Sequence, residues 1–447
     1  MYRKLITILK KIKYNTTYFF SSKIIMPFHQ KDFLYIETNI EQFIKDYFEG
    51  HLFRVSSASH DNIGKHIFGQ VRVDYYDYDF LAFDEFNQFS FDFKSLKPAY
   101  FNKGDVKVPY EKSRLQYHQK QIKYHPEPIY FKLYGREFNY PKIFWNSPMD
   151  VAIRNINLIF IYLRNQFKYK ESIRYDKNRH NPWFKVPGFN VQGIQENYED
   201  YALDWIAKHF DYLLNNLENK GNVVGNHYLV EISSILFTLA NFEFEEKMEY
   251  FEKFQNELSI QLEKQFHTTG TNFEGSTHYS VFAIEALIIC KLSITAIDSN
   301  SDLLKIIDKI IIANNYFLDK LTINDELSQI GDNDSGRIFY RFFNEESPLN
   351  MNWFFELLQY FYPKETFETI NKFNFKKSLN KELPDLDLVH KIQHKEIKVF
   401  SKDYETYSFE NFGIFIWRND LEYLSIRCGP IGQNGVGGHS HYDQLSI

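Results

Sequence analysis

The sequence predicts a helical domain followed by an antiparallel β domain, and three observations carry that prediction. From 148 to 372 one helical pattern follows another with no strand pattern between them. Beyond Pro384 the pattern changes. Gly413-Ile414-Phe415-Ile416-Trp417 and Leu421-Glu422-Tyr423-Leu424-Ser425-Ile426 flank Arg418-Asn419-Asp420, two β-rich runs around a short polar turn. Helices first and strands afterwards is the order of two domains, not of one mixed sheet.

Taken in order, residues 1–32 form a basic leader. Arg3, Lys4, Lys10, Lys11, Lys13 and Lys23 meet no acid before residue 27, and Leu5, Ile6, Ile8, Leu9 and Ile12 lie between them. A secretory signal needs an unbroken apolar stretch, which these lysines interrupt. A disordered leader and an amphipathic helix on an anionic membrane surface are the two readings left. Residues 33–48 read as one helix, and 51–105, aromatic and rich in Asp and Asn, as loops and short extended pieces. Pro148 opens a helix to about Phe167, with Val151, Ile153, Ile156, Ile159 and Leu163 at helical spacing. Further helices read at 198–217, 227–243, 246–264, 278–296, 301–319, 349–361 and 364–372. Their short connections make sequential helices antiparallel, which points to helical hairpins wound into a barrel or toroid over 33–380. Residues 396–402 partly alternate and read as a strand, so 385–447 is the β domain. That domain is short for a stand-alone sandwich and ends within the apolar Leu445-Ser446-Ile447. The expectation is that it is incomplete, and that this form is inactive or unstable unless extended.

Composition excludes some functions. Lys and Arg number 52 against 58 Asp and Glu, a net charge of −6, which lacks the basic excess of a nucleic-acid binder. Aromatics reach 18%, with 45 Phe and 32 Tyr. Core packing under a biased composition accounts for that, and so does a groove whose ring faces stack on sugars. Cys290 lies in the apolar run Ala286-Leu287-Ile288-Ile289-Cys290 and Cys428 is alone, so there is no disulfide framework or thiolate metal site. No stretch reads as long and apolar enough for a transmembrane segment.

Four segments carry candidate chemistry. Gly225-Asn226-His227-Tyr228-Leu229-Val230-Glu231 starts a helix, with Asn226 as an N-cap type and His227 and Glu231 one turn apart. A solvated His–Glu pair on a capped helix is the alternative. Asn272-Phe273-Glu274-Gly275-Ser276-Thr277-His278-Tyr279 leads into another helix, whose positive end would favour a phenolate on Tyr279, a core or rim tyrosine being the alternative. Gly331-Asp332-Asn333-Asp334-Ser335-Gly336-Arg337 is dense in turn formers, and its acids and glycines also permit a calcium loop, though without EF-hand spacing or the terminal Glu. In Gly437-Gly438-His439-Ser440-His441 the two histidines share one face of an extended chain, and proton transfer or metal binding are both open.

In this order along the chain, the segments resemble the heparinase II/III-like polysaccharide lyases. Gly104-Asp105-Val106-Lys107-Val108-Pro109-Tyr110-Glu111-Lys112-Ser113-Arg114 and Trp145-Asn146-Ser147-Pro148-Met149-Asp150-Val151-Ala152-Ile153-Arg154 add to the resemblance. It spans the chain from about residue 70 onward. It implies an incomplete (α/α) toroid followed by the start of an antiparallel β-sandwich, with an acidic, uronic-acid-containing polysaccharide in the cleft between them. The implied reaction is β-elimination, in which the C5 proton is removed and the oxygen at C4 expelled. By resemblance Asn226, His227, Tyr279 and His439 are catalytic, and Trp145, Asn146, Glu231, Glu274 and Arg337 bind substrate. His441 matches a position that in some relatives binds a structural zinc, its other ligands lying beyond Ile447, while the chemistry requires no cofactor. Lys107, Arg114, Arg154 and Arg337 either read the acidic chain or pair within the fold. A uronyl C5-epimerase and a non-catalytic glycan-binding factor in surface polysaccharide production are the alternatives. The resemblance implies a periplasmic or cell-envelope location, and the lack of a clear signal peptide leaves the cytoplasm open. Oligomeric state is not indicated.

Overall fold

The computed structural model describes residues 34–35, 40–49, 91–92, 97–98, 114–116, 145, 147–176, 191–221, 223–333, 337–339, 349–362, 404–419, 422–433 and 435–440. These residues are mostly helical, with a few small antiparallel sheets. The helices are α1 (Ile40–Glu49), α2 (Pro148–Asp176), α3 (Val191–Asn216), α4 (Asn226–Asn241), α5 (Lys247–Gln265), α6 (Thr277–Ile297), α7 (Asp302–Leu321) and α8 (Asn352–Phe361). Two-residue strands lie at β1 (Leu34–Tyr35), β2 (Phe91–Asp92), β3 (Lys97–Pro98), β4 (Phe242–Glu243), β5 (Thr322–Ile323) and β6 (Glu326–Leu327).

Helix α4 is the axis of the packing, lying against α2, α5 and α6. Every residue of it is buried except His227, so its only outlet to solvent is at its first turn. A helix apolar all round has to be enclosed on every side. Its neighbour α6 is similar, buried continuously from Thr277 to Cys290. Helix α6 also has the length and hydropathy to cross a membrane, a stretch the sequence reading passed over. Here α4 and α7 pack against it, and 72% of its most apolar window is buried inside the protein. Phe43, Phe160, Phe237 and Phe339 bring part of the aromatic excess into this core, with Phe160 and Phe237 edge to face at 5.3 Å.

The helix expected over 33–48 is divided. Leu34 and Tyr35 pair antiparallel with Glu243 and Phe242, and α1 begins only at Ile40. Backbone pairing to a strand at the end of α4 competes with helix formation there, a long-range effect that local periodicity does not register. Helix α2 runs to Asp176 and α3 begins at Val191, longer than expected. The helix expected over 364–372 and the strand over 396–402 lie outside the described residues.

The expected hairpin forms. Strands β7 (Glu405–Phe409), β8 (Ile414–Arg418) and β9 (Tyr423–Arg427) make one antiparallel sheet in that order, and β7 was not anticipated. Between β8 and β9, Asn419 closes the turn, its N–H donating to the Glu422 carbonyl and its side-chain oxygen accepting from Glu422 N–H at 2.7 Å. The sheet docks on α7 through Phe409 and Phe412, each with its ring centroid 4.9 Å from that of Phe317. The Arg418 guanidinium adds hydrogen bonds to the carbonyls of Lys320 and Thr322 at the end of that helix.

Candidate active site

Helix α4 starts without a side-chain cap of its own, since Gly225 rather than Asn226 holds the N-cap position. The orphan donors of a helix start must find acceptors elsewhere. Here Asn226 N–H donates to Glu274 Oε1 at 3.0 Å, and the Asn226 amide donates through Nδ2 to Glu274 Oε2 at 2.7 Å. A carboxylate there also complements the positive end of the helix. Glu274 lies just ahead of α6, whose start is capped by Ser276 accepting from Tyr279 N–H. Two helix starts are thereby joined, and each contributes a candidate residue in its first turn, Asn226 from α4 and Tyr279 from α6.

The third participant arrives from the far end of the chain. His439 stacks on Tyr279 with ring centroids 3.7 Å apart and planes 18° from parallel. Its Nε2 lies 3.5 Å from Asn226 Nδ2, and its Nδ1 lies 3.4 Å from Asp332 Oδ2. The ring is thus held between a carboxylate on its Nδ1 side and an amide on its Nε2 side. The backbone holds this segment as well: Asp332 N–H donates to the His439 carbonyl at 2.9 Å. Gly331 makes the approach possible. Its φ is +72°, and a Cβ there would lie 2.5 Å from the His439 carbonyl oxygen.

His227, beside Asn226, is the half-exposed residue of α4, and its Nδ1 pairs with Glu218. The expected partner, Glu231, contacts residue 218 differently: its Oε2 accepts from Glu218 N–H at 2.8 Å. The sequence reading joined His227 to Glu231 by helical spacing, but Glu231 is turned into the core while His227 faces out. Burial and the nearby Glu218 charge push the Glu231 carboxyl well above the usual carboxylate range. For His227, partial desolvation by the surrounding protein pushes the imidazole down. The Glu218 hydrogen bond and charge, with Asp150 and Glu274 beyond, outweigh it and raise the group above the ordinary histidine value. The sign of the linkage follows. A histidine raised in the folded state contributes its stability fully below the unfolded value of about 6.5 and loses it as pH rises through the folded value. Thermal melts of the parent and Glu218→Gln across pH 5.5 to 9 test this: the parent is expected to lose a stability increment above pH 6.5 that the variant lacks.

The remaining candidates fall into place less directly. Trp145 stands among Trp205, His209 and Tyr212, with the Arg154 guanidinium 5.1 Å from its ring centre. That is a packed aromatic cluster. Arg154 is fully buried and donates to His209 Nε2 at 2.8 Å, and burial and the Arg154 charge hold that imidazole well below its ordinary value. Arg114 is paired with Asp150 at 2.6 Å in a buried site. Both arginines therefore serve the fold. Arg337 is half-buried, and its carbonyl accepts from the Gln116 amide at 2.7 Å. Glu274 was expected to bind sugar, yet it is fully buried with both carboxylate oxygens on protein donors. Asn146, Lys107 and His441 lie outside the described residues, and among those described no group of three His, Cys, Asp or Glu could hold a metal ion. Sequence reasoning passed over Glu218 and Gln433 and took Asp332 for part of a turn. Glu218 meets its partner 9 residues on across the start of α4, and Asp332 and Gln433 meet theirs 107 and 159 residues away, separations that helical or strand spacing does not register.

The arrangement places a phenol and an imidazole in contact beside an amide, with a second imidazole on the residue next to that amide. No family model matches the chain, and no curated protein matches it. Among solved structures the chain is similar to heparan sulfate lyase HepC from Pedobacter heparinus, at 15% identity and a TM-score of 0.39. A mutant of that enzyme gives 14% and 0.41, and both alignments cover 88% of this chain and 57% of the other. A heparinase III gene product gives 17% and 0.37, covering 93% of this chain and 56% of the other. The chain spans little more than half the length of these structures.

Proposed function

We propose that the protein is a lyase that cleaves a uronic-acid-containing polysaccharide by β-elimination, on an incomplete (α/α) toroid followed by strands of an antiparallel β-sandwich. The observation that carries this is the contact of Tyr279 with His439 at 3.7 Å, with the Asn226 amide 3.5 Å from His439. The C5 proton of a uronate is weakly acidic because the adjacent carboxylate resists further negative charge. An active site must offset that charge where it develops. Asn226 has a second N–H beyond the one on Glu274, and His227 adds an imidazole raised toward its cationic form. These two groups would receive the carboxylate. His439 Nε2 or the Tyr279 oxygen would take the C5 proton, and the phenol would return one to the departing O4 oxygen. In this scheme no step passes through a metal, and a structural zinc held through His441 is a separate proposal about the β domain.

The test is incubation with a panel of uronic-acid polysaccharides that includes heparan sulfate and alginate. The expected result is the ultraviolet absorbance of a C4–C5 unsaturated sugar. Solvent-deuterium uptake at C5 without cleavage would replace the lyase by an epimerase. Binding with neither reaction would leave a glycan-binding protein.

A further inference from the structure

Glu274 has no contact to spare for a sugar, and its connections point to another task. Three donors converge on its carboxylate: Asn226 N–H at 3.0 Å and the Gln433 amide at 3.2 Å on Oε1, and Asn226 Nδ2 at 2.7 Å on Oε2. Its main-chain carbonyl accepts a fourth hydrogen bond, from Ser440 Oγ at 3.1 Å, and Ser440 Oγ in turn accepts from Gly432 N–H at 2.7 Å. Gln433 also uses its side-chain oxygen, which accepts from Gly438 N–H at 3.0 Å. Both ends of the 432–440 segment that carries His439 are therefore fastened to one buried residue. The fit allows no larger backbone, because a Cβ on Gly432 would lie 2.1 Å from the Glu274 carbonyl oxygen.

The chemistry of the acceptor matters as much as its position. Both Glu274 carboxylate oxygens act as acceptors here, so the Asn226 side chain turns its NH2 toward them. That choice puts the second Asn226 N–H on the His439 side and leaves Asn226 Oδ1 buried with no partner among the described residues. An isolated amide would have no reason to prefer that orientation. We infer that Glu274 is a positioning residue, which sets the direction of the Asn226 amide and holds the His439 segment against helix α4. The inference deepens the elimination reading and rests on it for its kinetic consequence.

Glu274→Gln tests it, because all three donors face a group that now carries an NH2 of its own. One contact must become donor against donor, and turning the Asn226 amide over relieves it while withdrawing its N–H. With a polysaccharide that the parent cleaves, kcat is expected to fall about 10²-fold, the scale of an ångström misplacement, with KM changed less than about 3-fold. In an Asn226→Ala background the same change is expected to cost less than about 3-fold, since the residue acts through Asn226. Full additivity would overturn the role, because a loss of general stability would add. Hydrogen–deuterium exchange needs no substrate and separates the two claims. In Glu274→Ala, which removes both side-chain acceptors, peptides covering 226–230 and 432–440 are expected to exchange faster together, and a change confined to 270–280 would refute the clamp. If the parent cleaves no uronate polysaccharide, the elimination reading fails and the exchange result still decides the clamp. Gln433→Ala is the milder variant should the Glu274 variants not fold. It is expected to speed exchange at 432–440 alone and lower kcat about 10-fold, and parental values for both would also refute it.

Discussion

Tyr279→Phe is expected to lower kcat by about 10³-fold while leaving glycan binding and the melting temperature near those of the parent. The size follows from the role proposed for the phenol, which returns a proton to the departing O4 oxygen. The selectivity follows from the structure. The ring is 7% exposed and stacked on His439 at 3.7 Å, and phenylalanine keeps both the ring and the stack. Only one oxygen is lost, so binding through Asn226 and His227 is untouched. Turnover and direct glycan binding should be measured on the same preparations. A variant whose kcat stays within about 3-fold of the parent would remove Tyr279 from the chemistry and leave His439 as the proton carrier.

What was legible in the sequence was whatever is encoded locally. Helical spacing and the turn around Asn419 marked most of the described helices and the β8–β9 hairpin, because each depends on residues a few positions apart. Asn226, Tyr279 and His439 stood out by residue type and by their place at helix starts or in a glycine-rich run. What was hidden is pairing across the chain. Glu274 reads locally as part of a turn before α6, and its partners lie 48 and 159 residues away. His227 and Glu231 are one turn apart on α4, yet one faces solvent and the other the core, so spacing alone joined the wrong acid to the histidine. The same limit explains β1, whose two residues look helical until β4 is beside them. Arg114 and Arg154 show it from the other direction: a positive charge in a sequence points equally to a substrate and to a buried partner.

Asn226→Asp should be the most damaging small change in the site, for an electrostatic reason. The substitution keeps shape and volume but replaces the amide NH2 with an oxygen 2.7 Å from Glu274 Oε2, both residues being buried. Two carboxylates at that distance cannot both ionise, so the pair must hold a proton in the folded state. The folded state then binds more protons than the unfolded one through the mildly acidic to neutral range, and its stability falls as pH rises there. The cost of an uncompensated buried charge is about 3–5 kcal/mol, large beside the stability of an ordinary domain. The melting temperature of Asn226→Asp is therefore expected to lie well below the parent's at pH 8 and to approach it near pH 5. Turnover should fall about 10³-fold even where the variant is folded, because no N–H remains for the substrate carboxylate. A melting difference that stays constant with pH would show that Glu274 and residue 226 do not share a proton, and would remove the electrostatic basis for the orientation of the Asn226 amide.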